Sequence, residues 1–127
     1  MALATKLGLL IHVVDVVGAY LNGTLQETIY MEQPPDYDDG TGQVLLLIKA
    51  LYGLKQAGRT WNDELNLLFI RMEYSRLFSD QCFYIRHQEH DLTIAAIHTD
   101  DITILGSDID AIKKAKAELG QHFTILY

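Results

Sequence analysis

The chain has 127 residues, of which 49% are hydrophobic and 21% are charged, and its formal net charge is −7. This composition excludes a disordered chain, suits one compact domain, and does not indicate the broad basic face of a free-standing nucleic-acid binder. The only cysteine, Cys82, excludes an internal disulfide and favours an intracellular setting, and no apolar stretch approaches the ~20 residues of a membrane-spanning helix.

The spacing of apolar residues predicts a mixture of strands and helices. β-branched runs favour strands, and apolar residues three and four positions apart favour helices. In chain order, the predicted elements are a helix over 2–9, a strand over 11–20, a short strand over 28–33, a strand starting at 44, a helix over 60–74, a strand over 81–87, facing strands over 93–99 and 102–106, a helix starting after 107 and a strand starting at 124. The strand over 11–20 is expected to be buried on both faces.

The two longer helices carry recognisable local signals. One face of the helix over 60–74 is an apolar stripe, formed by Trp61, Leu65, Leu68 and Met72. Ser107 is expected to be the N-cap of the last helix, with Asp110 three residues later in a capping-box-like position.

The order of these elements favours an α+β fold, in which an antiparallel sheet carries helices on one face. A ferredoxin-like βαββαβ core fits this order if residues 24–50 are an inserted hairpin. If the first strand is central and the hairpin over 93–105 lies beside it, Asp15 and Asp100 face each other at one edge of the sheet.

Three acidic residues, Asp15, Asp100 and Asp101, stand within apolar strand sequence. Converging carboxylates repel one another unless a cation lies between them. Mg²⁺ is usually held by one or two carboxylates together with waters and phosphates, and a pair of such ions supports phosphoryl transfer. The alternative is structural, because aspartate is common in turns and Asp15 could simply accept backbone hydrogen bonds at a strand end.

Four segments resemble the reverse transcriptase of copia-type LTR retrotransposons, and they occur in the order found in that family. IHVVDVVGAYLNGTLQETIYMEQPPDY resembles the segment around the first catalytic aspartate, and LIKALYGLKQAGRTW resembles the LYGLKQ motif. FSDQCFYI resembles the S-x-x-D-x-C strand, and AAIHTDDITILG stands where the family has YVDD. The resemblance spans nearly the whole chain and implies the palm of an RNA-directed DNA polymerase.

The resemblance also implies a catalytic role for each acidic position. Asp15 and Asp100 match the two ligands of the Mg²⁺ or Mn²⁺ ions, of which the family uses two, and Asp101 matches the third acidic residue of the site. His98 and Thr99 lie on the primer side, where the family has an aromatic residue and a valine.

The implied nucleotide-binding residues are Val16, Val17, Tyr20, Gly53, Leu54 and Lys55. The backbone N–H groups of Val16 and Val17 would contact the triphosphate, although Val17 replaces the usual lysine. Tyr20 would lie under the incoming sugar and exclude a 2′-hydroxyl by its bulk. The segment 53–55 would pack beside the template base and the nucleotide.

The resemblance implies that residues 1–127 are a single partial palm domain. Part of the fingers would precede it, and the last palm strand, the thumb and RNase H would follow it. The expected partners of the parent protein are primer–template and deoxynucleotides in a cytoplasmic particle or the nucleus, with no membrane. Because phosphate contacts dominate nucleic-acid affinity, the fragment alone is expected to be inactive or very weak. The alternative is a non-catalytic remnant or interaction module, which could self-associate through exposed sheet edges.

Overall fold

A computed structural model describes residues 2–127 and divides the chain into two compact units. The sheet unit comprises the chain up to Ala19 together with Leu65–Tyr127, and the hairpin unit comprises Tyr20–Glu64. The helices and strands are α1 (Ala2–Leu7), β1 (Leu10–Val16), β2 (Tyr30–Glu32), β3 (Val44–Leu46), α2 (Ala57–Arg71), β4 (Ser75–Arg76), β5 (Phe83–Gln88), β6 (Asp91–His98), β7 (Asp101–Gly106), α3 (Ile109–Gly120) and β8 (Ile125–Leu126). None of the helices among these residues is long and apolar enough to cross a membrane.

The sheet unit contains a six-stranded antiparallel sheet in the order β4-β5-β6-β7-β1-β8. β1 lies between β7 and β8, so the predicted placement of the first strand beside the 93–105 hairpin is confirmed. The elements β1, α2, β6, β7, α3 and β8 follow the predicted βαββαβ order, with β4 and β5 added beside β6. The α+β fold class is therefore confirmed.

Helices α2 and α3 pack against one face of this sheet. Phe69 of α2 stacks on Tyr84 of β5, with ring centroids 4.6 Å apart. Gly106 lets α3 approach β7 closely, because a Cβ atom at that position would lie 2.6 Å from Ile112 Cγ1. On the sheet face opposite to α2 and α3, Ala4 of the short helix α1 packs in a small buried cluster with Ile94 and Leu105. Ile94 and Leu105 project to this face because successive residues of a strand alternate between its two faces.

The prediction that β1 is buried on both faces is wrong. Val14 and Val16 are each only 1% exposed, whereas Val13, which precedes them, is 51% exposed. The reason is that α2 and α3 cover only the face onto which Val14 and Val16 project. Side chains on the other face of this strand, including Asp15, are open to solvent.

The apolar stripe predicted for the helix over 60–74 is confirmed as a buried face, since Trp61, Leu65, Leu68 and Met72 are all less than 9% exposed. The helix itself ends at Arg71, and Met72 directly follows it. The predicted N-cap of α3 is wrong by one residue. Asp108 is the cap, and its Oδ1 accepts hydrogen bonds from the N–H groups of Ala111 and Asp110 at 2.9 and 2.8 Å. The hydrogen bond from Ala111, followed by that from Asp110, holds the pKa of the Asp108 carboxyl below its usual value.

The neighbouring Ser107 is used elsewhere, which explains the different cap. Its hydroxyl oxygen accepts a hydrogen bond of 3.2 Å from the backbone N–H of Leu92 on β6. The side chain is therefore committed to the sheet and does not cap the helix.

The hairpin unit confirms the predicted insertion between β1 and α2. β2 and β3 form a separate two-stranded antiparallel sheet, in which Tyr30 pairs with Leu46 and Glu32 with Val44. The pairing continues towards α2 through a bridge between Thr24 and Lys49.

Candidate active site

Three titratable residues form a transverse row across three adjacent strands of the sheet unit. Asp15 on β1 pairs with Asp101 on β7, and Asp101 also pairs with His98 on β6. Directly opposed residues of antiparallel strands project to the same face, with Cβ atoms ~4.5–5.5 Å apart. All three residues are exposed. We call Asp15, Asp101 and His98 the acidic row, and it lies on the sheet face opposite to α2 and α3.

Asp100 lies next to this row, in the two-residue turn that joins β6 to β7. Its carbonyl oxygen accepts a hydrogen bond of 2.8 Å from the N–H of Val16, which fastens the turn to the end of β1. The residue is half-buried, and its carboxyl oxygen Oδ1 is shielded from solvent. The structure therefore brings all three predicted carboxylates to one end of the sheet, with Asp101 rather than Asp100 directly opposite Asp15.

Thr99 holds this turn in a strained backbone conformation. Its φ of 55° lies in the left-handed region, where a β-branched side chain is unfavourable by about 1–3 kcal/mol. A positive φ at only the first residue of a two-residue hairpin turn has the sign pattern of type II′, which favours glycine. The short turn fixes the register that places His98 opposite Asp101.

The backbone N–H groups of Val16 and Val17 are already engaged within the sheet unit. Val16 donates to the Asp100 carbonyl, and Val17 donates to Thr124 O at 2.9 Å. A triphosphate that used these groups would have to replace two existing hydrogen bonds. Their role in nucleotide binding therefore stays a prediction.

The remaining predicted nucleotide-binding residues belong to the hairpin unit. The ring of half-buried Tyr20 packs against Tyr52 with centroids 4.6 Å apart. Gly53 has a φ of 94°, a conformation that glycine adopts readily, and it leads into exposed Lys55 through half-buried Leu54. Their place beside the acidic row stays a prediction.

The carboxylate oxygens of the acidic row suit a divalent cation whose remaining ligands come from a substrate. Opposed carboxylates destabilise each other, and Mg²⁺ is usually held by one or two carboxylates with waters and phosphates. Within residues 2–127, no group of three or more His, Cys, Asp or Glu residues is arranged to hold a metal ion. The two opposed carboxylates therefore form no closed cage of protein ligands, and waters and phosphates would have to supply the other ligands of a bound cation.

Sequence reasoning missed the direct pairing of His98 with Asp101. The available signal was their separation by two residues, because a two-residue turn makes the flanking residues direct partners. It also missed Arg86 of β5, which is 3% exposed and lies 2.7 Å from Glu118 of α3. Arg86 follows buried Tyr84 by two positions, so strand alternation already placed both on the helix-covered face.

The profile of the reverse transcriptase (RNA-dependent DNA polymerase) family matches residues 1–127. The chain is 37% identical over 126 residues to the retrovirus-related Pol polyprotein from transposon TNT 1-94 of Nicotiana tabacum, covering 97% of this chain and 10% of that protein. Pol polyproteins from transposons RE2 and RE1 of Arabidopsis thaliana are each 34% identical over 117 residues, covering 91% of this chain and 8% of each protein. The chain thus spans about a tenth or less of these relatives. No solved structure matches it significantly.

Proposed function

Since this chain belongs to the reverse transcriptase family, we propose that it is the palm part of a copia-type RNA-directed DNA polymerase. The observation that supports this proposal is the opposition of Asp15 and Asp101 beside Asp100 in the adjoining turn. Carboxylates gathered at one end of a sheet can hold the two divalent ions that nucleotidyl transfer uses. The reaction adds a deoxynucleotide to the 3′-hydroxyl of a primer.

Each residue of the site has a distinct part in this proposal. Asp15 and Asp100 would hold the cations, and Asp101 would complete the acidic centre. Bound Mg²⁺ or Mn²⁺ ions would polarise the 3′-hydroxyl and neutralise charge on the departing pyrophosphate. The strained Thr99 turn fixes Asp100 against the end of β1, and His98 supports the primer side.

The hairpin unit would supply nucleotide selection. The bulk of Tyr20 would exclude a 2′-hydroxyl, and the segment Gly53, Leu54 and Lys55 would pack beside the template base and the nucleotide. These roles rest on the match of those positions to the LYGLKQ and first-aspartate motifs.

Residues 1–127 alone are proposed to be inactive or very weak. Phosphate contacts supply most of the affinity for nucleic acid, and a net charge of −7 opposes the approach of a polyanion. Primer–template and deoxynucleotides are therefore proposed as substrates of a longer protein with fingers, thumb and RNase H, located inside the cell.

A chimaera tests the proposal directly. Residues 1–127 would replace the matching segment of the tobacco TNT 1-94 polyprotein, and extension of a DNA primer on an RNA template would be measured with Mg²⁺ or Mn²⁺. We expect extension by the chimaera, its loss in Asp100→Asn, and its retention in Asp110→Asn, whose side chain is 88% exposed on α3. A folded chimaera that does not extend the primer contradicts the proposal.

The second candidate is a non-catalytic remnant of such an element. It is favoured by the engaged N–H groups of Val16 and Val17 and by Val17 in place of the family's lysine. A remnant predicts that the folded chimaera is inactive and that Mg²⁺ does not raise the melting temperature of the 127-residue chain.

A further inference from the structure

The hairpin unit exposes an apolar surface that the proposed polymerase chemistry does not use. Residues 44–48 read VLLLI, and Val44, Leu46 and Ile48 are 53%, 57% and 78% exposed. Tyr30, which pairs with Leu46 across the hairpin, is 62% exposed. Strand alternation puts Tyr30, Val44 and Leu46 on one face, which we call the ribbon face, and Ile48 follows two residues after the end of β3. A run of exposed apolar residues is typical of an interaction surface.

The backbone beside the ribbon face is also open. β3 has only β2 as a neighbour in its sheet. The N–H of Leu47 donates to Ile29 O at 2.9 Å, so the antiparallel register turns the N–H and C=O groups of Val44 and Leu46 away from β2. Such an edge can pair with one further strand, and a two-stranded hairpin gains stability from a third.

The charge around this edge selects the chemistry of that strand. Residues 20–49 contain one lysine and five acidic residues, which are Glu27, Glu32, Asp36, Asp38 and Asp39. The lysine, Lys49, is occupied within the hairpin, since its Nζ donates to Asn22 O at 3.2 Å and to Thr24 Oγ1 at 3.0 Å. The local field therefore attracts a basic segment and opposes a second copy of this acidic chain.

We propose that the open edge of β3 and the ribbon face bind an extended strand of another polypeptide in which basic and apolar residues alternate. The backbone of that strand pairs with Val44 and Leu46, and its apolar side chains pack beside theirs on the ribbon face. Its basic side chains alternate to the opposite face of the strand and are attracted by the net negative charge of residues 20–49. This interaction does not depend on the polymerase function proposed above, so either can fail without the other.

The test uses the 127-residue chain and a fluorescein-labelled peptide of sequence Lys-Val-Lys-Val-Lys-Val-Lys, with binding measured by fluorescence anisotropy. A matched Glu-Val peptide has the same β-propensity pattern with the opposite charge. A Lys-Val peptide with a central proline loses a backbone donor needed for pairing. We expect binding of the first peptide only, and slower amide hydrogen exchange at Val44 and Leu46 when it is bound.

Two matched variants locate the binding surface. Leu46→Lys puts a cation on the ribbon face and is expected to weaken peptide binding about tenfold or more, through lost apolar burial and charge repulsion. Leu67→Lys makes the same substitution at a 51% exposed position on α2 and is expected to leave binding unchanged. Equal weakening by both variants, equal binding of the Glu-Val peptide, absence of binding, or formation of a dimer that protects Val44 and Leu46 would each overturn the proposal. The exchange measurement on the unmodified chain decides the matter if Leu46→Lys does not fold.

Discussion

The two hairpins that share β6 are built alike at their turns and differ in what lies beside them. Each has a two-residue turn whose first residue, Glu89 or Thr99, has a positive φ, of 50° and 55° respectively. Neither residue is glycine, so both turns carry backbone strain. Strain alone therefore does not distinguish a functional turn from a structural one.

The residues flanking the two turns make the distinction. Gln88 pairs with Asp91 at the first turn, and this pair has a single acidic member. At the second turn His98 pairs with Asp101, which is itself opposed by Asp15 on β1. Only the second turn lies at the acidic row, which crosses three strands, and the functional proposal is based on that row.

The hairpins also differ in how they accommodate charge. β5 buries Arg86, whose Nη1 lies 2.7 Å from Glu118 Oε2 and 3.0 Å from Met72 O. Its guanidinium lies 4.5 Å from the centroid of the Tyr74 ring, and burial raises the pKa of that phenol. The buried charge is compensated within the fold, whereas Asp15 and Asp101 stay in water and can accept a ligand.

The largest effect is expected for activity at the acidic row. In the chimaera, Asp15→Asn should lower the rate of primer extension by about a hundredfold or more, because it removes a carboxylate that stabilises charge at the reacting centre. Glu89→Gln makes the matched change at the other turn and should leave the rate unchanged. Similar losses in both variants, measured as initial rates on folded proteins, would contradict the distinction between the turns.

The next largest effect concerns stability of the hairpin that buries its charge. Glu118→Ala should lower the free energy of unfolding by about 3 kcal/mol, because it leaves buried Arg86 without its carboxylate partner. Lys113→Ala removes an exposed pair with Asp110, in which the atoms are 3.5 Å apart, and should change it by less than about 1 kcal/mol. Urea denaturation measures the free energy of unfolding of both variants. If Glu118→Ala lowers it no more than Lys113→Ala does, the buried pair does not stabilise the fold.

Exchanging the strained turn residues for glycine should have a smaller effect. Glycine adopts a positive φ without steric cost, although it also raises the entropy of the unfolded chain. Thr99→Gly should raise the free energy of unfolding by about 1 kcal/mol, and Glu89→Gly by less, since an unbranched side chain is less strained. Thermal denaturation of the two variants checks the order, which would be refuted if Glu89→Gly were the more stabilising.

The predictable part of the molecule depends on local sequence. The stripe of Trp61, Leu65, Leu68 and Met72 needed only helical periodicity, and the hairpin strands needed only β-branched residues and short turns. Placing the first strand beside the 93–105 hairpin was enough to predict that the carboxylates lie at one end of the sheet. The motif match then supplied the interpretation of that place as a polymerase centre.

The part that could not be predicted depends on contacts far apart in the chain. Ser107 and Asp108 are both good N-caps, and the choice between them is decided by the bond from Leu92 N–H to Ser107 Oγ, across 15 residues. Arg86 finds Glu118 across 32 residues. No local pattern encodes either pairing, so they become visible only when the sheet and α3 are assembled.

The smallest effect tests the electrostatics of the row itself. With divalent ions removed at low ionic strength, Asp101→Asn should raise the free energy of unfolding by about 0.2–1 kcal/mol, because it relieves the repulsion between Asp101 and the directly opposed Asp15. Glu89→Gln should leave the free energy of unfolding unchanged. Raising the salt concentration should reduce the stability gained by Asp101→Asn, because salt screens the repulsion.

Mg²⁺ should stabilise the unmodified chain more than it stabilises Asp101→Asn, since the variant has one carboxylate fewer to offer the ion. Urea denaturation with EDTA and then with Mg²⁺ separates these effects. A destabilised Asp101→Asn would mean that attractive contacts hold the opposed carboxylates and that they do not form a cation-binding site.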